Sequence, residues 1–221
     1  MSDGSDRGGS SEASGSFGDT VEIAPRLAPR SGGTTSPTVI VLHGRGQSPT
    51  LVHEIAPAFG PARIVAPPGG VTLRRGTTWF ENVSVGIARR ESVEAAENRF
   101  MAWLDRSVPT GRRPWLCGFS NGGAFAGHLL MRHPERFAGA ALLSAPLILP
   151  PWHPGALRGQ PVFYGRGDGD RIVPNDHFEA AEHYLGGASG ALLTIRRYPC
   201  GHEIHPEEGR DLAAWFSAAV S

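Results

Sequence analysis

The chain of 221 residues contains no lysine; all 21 of its basic side chains are arginine. That excludes chemistry carried by a protein lysine, whether a Schiff base or a Ser-Lys pair. Cysteine is scarce as well. Cys117 and Cys200 are the only two, too few for a disulfide framework and not in zinc spacing, so reduced thiols in a cytoplasmic protein are the expectation. Net charge is also missing, since 21 acidic residues balance the arginines, and nothing draws the chain electrostatically to nucleic acid or an anionic membrane. No apolar run approaches the about 20 residues of a membrane span. The opening Met1-Ser2-Asp3-Gly4-Ser5-Asp6 has neither the basic nor the apolar part of a secretory signal. The sequence therefore reads as a single folded domain with no transmembrane segment and no nucleic-acid partner.

Residues 1–35 are rich in Ser, Gly and Asp and are expected to form a disordered tail, with Val21, Glu22 and Ile23 hinting at a short edge strand. From residue 36 to 221 the texture is that of a folded domain. Short apolar runs at Val39 to Leu42, Arg63 to Ala66, Trp115 to Phe119, Ala138 to Leu143, Pro161 to Tyr164 and Leu192 to Tyr198 read as strands of a parallel sheet covered on both faces. Amphipathic stretches at about 49–59, 89–107, 121–132, 175–185 and 206–219 read as helices. In the second, Val93, Ala96, Phe100, Trp103 and Leu104 recur at helical spacing, the mark of a core-facing stripe. The alternation predicts an α/β three-layer sandwich with a mainly parallel central sheet and functional residues at the carboxyl ends of its strands. No connection is long enough for a lid domain.

Directly after the Trp115 to Phe119 run stands Gly118-Phe119-Ser120-Asn121-Gly122-Gly123, followed by a helical stretch. Gly-x-Ser-x-Gly between strand and helix makes a sharp, strained turn; small flanking residues avoid collision, and the serine hydroxyl projects at the sheet edge as a nucleophile. A serine needs a base. His202, in Tyr198-Pro199-Cys200-Gly201-His202 just after the last strand, is placed to supply it, with His205 as its competitor. A His202/His205 metal pair lacks an obvious third ligand, and no metal site is predicted. The base in turn needs an acid, which follows the serine and precedes the histidine in this arrangement. The turn Gly165-Arg166-Gly167-Asp168-Gly169-Asp170 offers two aspartates. No twelve-residue calcium loop pattern follows, and an adhesion-type Arg-Gly-Asp does not suit a protein without an export signal.

Four ordered motifs, Leu42-His43-Gly44-Arg45-Gly46, Gly118 to Gly122, Gly167 to Pro174 and Gly201-His202, resemble those of small α/β-hydrolases of the phospholipase/carboxylesterase type, related to acyl-protein thioesterases. The resemblance runs from about residue 37 to 219. It implies that the acid is the aspartate three before the Val-Pro pair, Asp170, and that Asp168 shapes the turn by capping backbone N–H groups. The amides of Arg45 and Asn121 should form the oxyanion hole, with His43 bracing the turn and the Arg45 side chain in solvent, although the family often has an apolar residue at that position. In the segment from Ala66 to Glu81, which is also similar to the family, Trp79 and Phe80 are expected to line the acyl pocket. Leu147, in the apolar stretch Ala145 to Trp152, is a candidate for another wall. The function implied is a cofactor-independent serine hydrolase acting on small-molecule or lipid-like acyl esters or thioesters. Lysophospholipase or acyl-protein thioesterase activity is an alternative, and a non-catalytic binding protein of the same fold a more distant one. Whether the chain works as a monomer or a homodimer is not legible.

Overall fold

The computed structural model describes residues 20–23, 36–109 and 111–221. Seven strands form the central sheet: β1 (Val21–Ile23), β2 (Thr38–Leu42), β3 (Arg63–Ala66), β4 (Trp115–Phe119), β5 (Gly139–Leu143), β6 (Pro161–Gly167) and β7 (Leu192–Tyr198). Their order across the sheet is β1-β3-β2-β4-β5-β6-β7. All neighbours run parallel except β1, which lies antiparallel on β3 with Val21 opposite Ala66. The rest of the expected tail lies outside the described residues.

Among the described residues there are five α-helices: α1 (Val52–Ile55), α2 (Arg90–Ser107), α3 (Asn121–Arg132), α4 (Asn175–Gly186) and α5 (Pro206–Ala219). Because successive strand side chains point to opposite faces, β2 divides itself between two cores. Ile40 and Leu42 join Phe100, Phe125 and Phe178 from α2, α3 and α4, while Val39 and Val41 join Val52 and Phe216 from α1 and α5. The stripe Val93, Ala96, Phe100, Trp103 and Leu104 is buried as the helical period requires.

Three elements depart from expectation. The stretch 49–59 is not one helix but 3₁₀ turns at Pro49–Leu51 and Ala56–Phe59 flanking the single turn of α1, because Pro57 can neither donate to the ladder nor admit a helical carbonyl behind it. Strand β6 does not stop at Tyr164 but continues through Gly165, Arg166 and Gly167. The two glycines allow other groups to come close: a Cβ at Gly167 would lie 2.3 Å from the Gly201 carbonyl oxygen. Strand β7 is an edge strand rather than a doubly covered one, with Arg196 and Arg197 exposed. No described helix is long and apolar enough to cross a membrane.

Candidate active site

Ser120 sits between the end of β4 and the start of α3 with φ 53° and ψ −118°, a conformation that costs a non-glycine residue about 1–3 kcal/mol. Sterics hold it there. A Cβ on Gly118 would come 2.3 Å from the Gly122 carbonyl oxygen, and one on Gly122 would come 2.2 Å from that of Leu42, so only glycine lets strand, turn and helix approach this closely. The Ser120 N–H donates to Leu143 O of β5 at 2.8 Å, tying the turn to the neighbouring strand.

The Ser120 hydroxyl lies 2.8 Å from His202 Nε2, and His202 Nδ1 lies 2.6 Å from Asp170 Oδ2. A carboxylate can only accept, so Nδ1 carries the proton and Nε2 is free to accept that of Ser120. The Asp170 carboxyl is wholly buried, while 16 % of the His202 side chain reaches solvent. The other Asp170 oxygen accepts the N–H groups of Ile172 and Val173 at 2.8 and 3.1 Å, which fixes the carboxylate before it meets the imidazole. This is the capping role expected of Asp168; the Asp168 side chain is instead exposed and stands 4.0 Å from Arg166. The loops bearing acid and base are joined through the backbone, Asp168 N–H donating to Tyr198 O at 2.8 Å and Gly169 N–H to Cys200 O at 2.9 Å. His205 lies behind His202 as the N-cap of α5.

Arg45 and Asn121, whose amides are the expected oxyanion hole, line the same cleft as Ser120. Asn121 opens α3, where a backbone N–H has no partner within the helix and forms part of the positive end of its dipole. The turn carrying Arg45 is anchored on both sides, by Gly44 N–H donating to Gln47 Oε1 at 2.7 Å and Gly46 N–H to Thr77 O at 2.8 Å. His43 braces it from below. Its Nδ1 meets the Gly44 carbonyl at 2.8 Å, leaving Nε2 to accept from Gly69 N–H and Thr77 Oγ1, both at 3.0 Å. Burial pushes its pKa below the ordinary histidine value, so the ring is neutral. The Asn121 side chain reaches back to accept from Thr78 Oγ1 at 2.8 Å and Trp79 N–H at 3.0 Å.

A cleft of about 370 Å³ opens over Ser120, walled by Phe80, Ala124, Pro146, Ile148, Ile172 and Val173 and entered past Val85 and Gly86. Of the three residues expected on its wall, the structure puts only Phe80 there. Trp79 is in the core: its indole N–H donates to the His43 carbonyl at 2.9 Å and its ring stacks on Phe125 at 5.4 Å. It thus holds the Arg45 turn and the serine turn together from behind. Leu147 points away from the cleft onto Gly127 of α3, while its neighbours Pro146 and Ile148 face in. The hairpin pairing Asn82–Ser84 with Ile87–Ala88 was not expected at the entrance, although exposed Val83, Val85 and Ile87 carry a strand's alternation in the sequence. Cys117 and Cys200 are both free thiols. Among the described residues no three His, Cys, Asp or Glu side chains converge as metal ligands would.

The arrangement sets a serine against a base, and the base against an acid, beside an apolar cleft. Residues 29–219 match the family model described as Phospholipase/Carboxylesterase. Carboxylesterase SOBER1 of Arabidopsis thaliana is 26% identical over 203 residues, covering 80% of this chain and 88% of that protein. Acyl-protein thioesterase 1 of Mycosarcoma maydis is 27% identical, over 88% of this chain and 95% of its own. In fold, the crystal structure of the Bacillus cereus carboxylesterase superposes with a TM-score of 0.78 at 20% identity, over 90% of this chain and 93% of that one. The α/β-hydrolase architecture and a family match spanning most of the sequence lead to one assignment: this chain belongs to the phospholipase/carboxylesterase family.

Proposed function

We propose that the protein hydrolyses carboxylic esters or thioesters of small-molecule or lipid-like acids through an acyl-enzyme on Ser120. The observation that carries this reading is the hydrogen-bond chain from Ser120 through His202 to buried Asp170 at the mouth of an apolar cleft. His202 Nε2 takes the hydroxyl proton as Ser120 Oγ attacks the acyl carbon, and the carbonyl π pair moves onto oxygen, where the N–H groups of Arg45 and Asn121 receive it. Asp170 keeps Nδ1 protonated and stabilises the imidazolium. As the tetrahedral adduct collapses, His202 gives its proton to the leaving alkoxide or thiolate. Water, deprotonated by the same nitrogen, then releases the acid and restores Ser120. Acyl groups pack against Phe80, Pro146 and Ile148. Two unbridged thiols suit a reducing compartment, and the reading places the activity in the cytoplasm.

The test is labelling with a fluorophosphonate together with hydrolysis of p-nitrophenyl esters from acetate to palmitate. Wild type should label once and hydrolyse, and Ser120→Ala should do neither, its rate falling by about 10⁴- to 10⁶-fold. Wild type that neither labels nor turns over overturns the reading and favours a binding protein.

A further inference from the structure

His202 hangs between two anchors. On its N-terminal side the loop is stitched to the acid turn by the backbone bonds from Asp168 and Gly169. On its C-terminal side a side chain joins in: Glu208 in the first turn of α5, whose Oε2 accepts the His205 N–H at 3.3 Å, beside the stacking of the His205 ring on Tyr198. A glutamate at this position of a capping box ordinarily stands in water. Glu208 is instead fully buried, and its Oε1 has no hydrogen-bond partner among the described residues. The carboxyl lies on the bare backbone of β6: a Cβ at Gly165 would fall 2.2 Å from Oε1. One carboxyl therefore touches both the strand that delivers Asp170 and the loop that carries His202.

A buried carboxyl with one oxygen unpaired is an expensive way to start a helix. Burial drives its pKa up to about 7, with nearby Asp211 adding to the rise and the His205 N–H opposing it. The other titratable side chains facing it are Cys117 on β4, Tyr198 at the end of β7 and Cys200 on the loop. A cap alone does not account for this placement, since the same bond forms on the outside of a helix.

We propose that Glu208 is a positioning residue for the reaction: its carboxyl fixes the distance between the His202 loop and β6, and thereby the alignment of His202 between Ser120 and Asp170. The inference rests on the function proposed above. Removing the carboxyl lets the loop shift by more than the alignment of His202 tolerates, so turnover suffers while substrate binding does not.

The experiment compares Glu208→Ala, Glu208→Gln and Glu208→Asp with wild type, each normalised to fluorophosphonate-titrated sites. It adds the downfield proton resonance of the His202 Nδ1–H to Asp170 bond, which needs no substrate. Glu208→Ala should lose about ten- to a hundredfold in kcat per site with KM nearly unchanged, and its resonance should broaden or vanish. Glu208→Gln, which keeps the acceptor for the His205 N–H, should restore both to within about twofold. If Glu208→Ala does not fold, Glu208→Asp, one methylene short of its acceptor position, is expected to show the same losses in smaller measure. Wild-type kcat per site and an unchanged resonance in whichever of these two variants folds overturn the inference and leave Glu208 a helix cap. Failure of wild type itself to label overturns the function instead, and the resonance still decides the role of Glu208.

Discussion

Ser120 stands at the end of β4, a central strand whose five residues are all buried, whereas His202 follows β7, an edge strand most of whose residues reach solvent. The serine is held by contacts no side chain can relax: glycine backbone against glycine backbone, with Leu42 and Gly122 closer than any Cβ permits. The histidine is held by hydrogen bonds to a carboxyl on either side, Asp170 through the ring and Glu208 through the loop. The nucleophile is thus set by sterics that exist as soon as strand and helix pack. The base is set by polar contacts that can be tuned or lost one at a time.

Breaking the second kind should cost rate and leave the fold. Asp170→Asn keeps shape and the two backbone bonds from Ile172 and Val173 but favours the wrong imidazole tautomer; kcat/KM should fall by about 10³- to 10⁴-fold, with the thermal unfolding curve little changed. Breaking the first kind should do the opposite. Gly122→Ala drives a methyl into the Leu42 carbonyl and should cost about 3 kcal/mol of stability, read as a lower Tm, with activity lost in proportion to the fold.

The buried carboxyl of Glu208 ties stability to pH. Its folded pKa of about 7 lies above the ordinary 4.5, so the folded state holds this proton more tightly than the unfolded chain. The contribution is whole below about pH 4.5 and is lost as pH rises through about 7, up to about 3 kcal/mol in all. Denaturant midpoints measured across this window should fall with rising pH in wild type after allowance for other groups, and the slope should flatten in Glu208→Gln. Smallest of all should be Arg45→Ala. The proposed reaction draws on the backbone N–H of this residue alone and the side chain is exposed, so kcat/KM for a neutral ester should change by less than about twofold; a larger loss would mean that the guanidinium meets substrate.

The same contrast explains what the amino-acid order could reveal. The Gly118 to Gly122 turn was legible because its cause is local, five consecutive residues whose sizes admit one geometry. The α2 stripe was legible because burial follows the helical period. Trp79 was misplaced because its role depends on a carbonyl at His43, distant in sequence, and a ring near a cleft reads the same whether it faces substrate or stands behind the wall. Leu147 was off by one position, since irregular backbone after β5 sets no period to count. Glu208 gave no sign at all: Pro206-Glu207-Glu208 looks like the solvated first turn of any helix, and only packing against Gly165 makes it interior.

Among the described residues one side of β7 has no neighbouring strand, and an unpaired row of backbone donors and acceptors is a template onto which another molecule's strand can add. Arg196 and Arg197 lie on that edge, the second held by Glu182 and the first within 3.6 Å of Asp211. Long charged side chains on a bare edge hinder an incoming strand, so the strand that leads to His202 also discourages stacking of one molecule onto the next. Neutralising both arginines would therefore show first in the concentration at which the protein begins to aggregate.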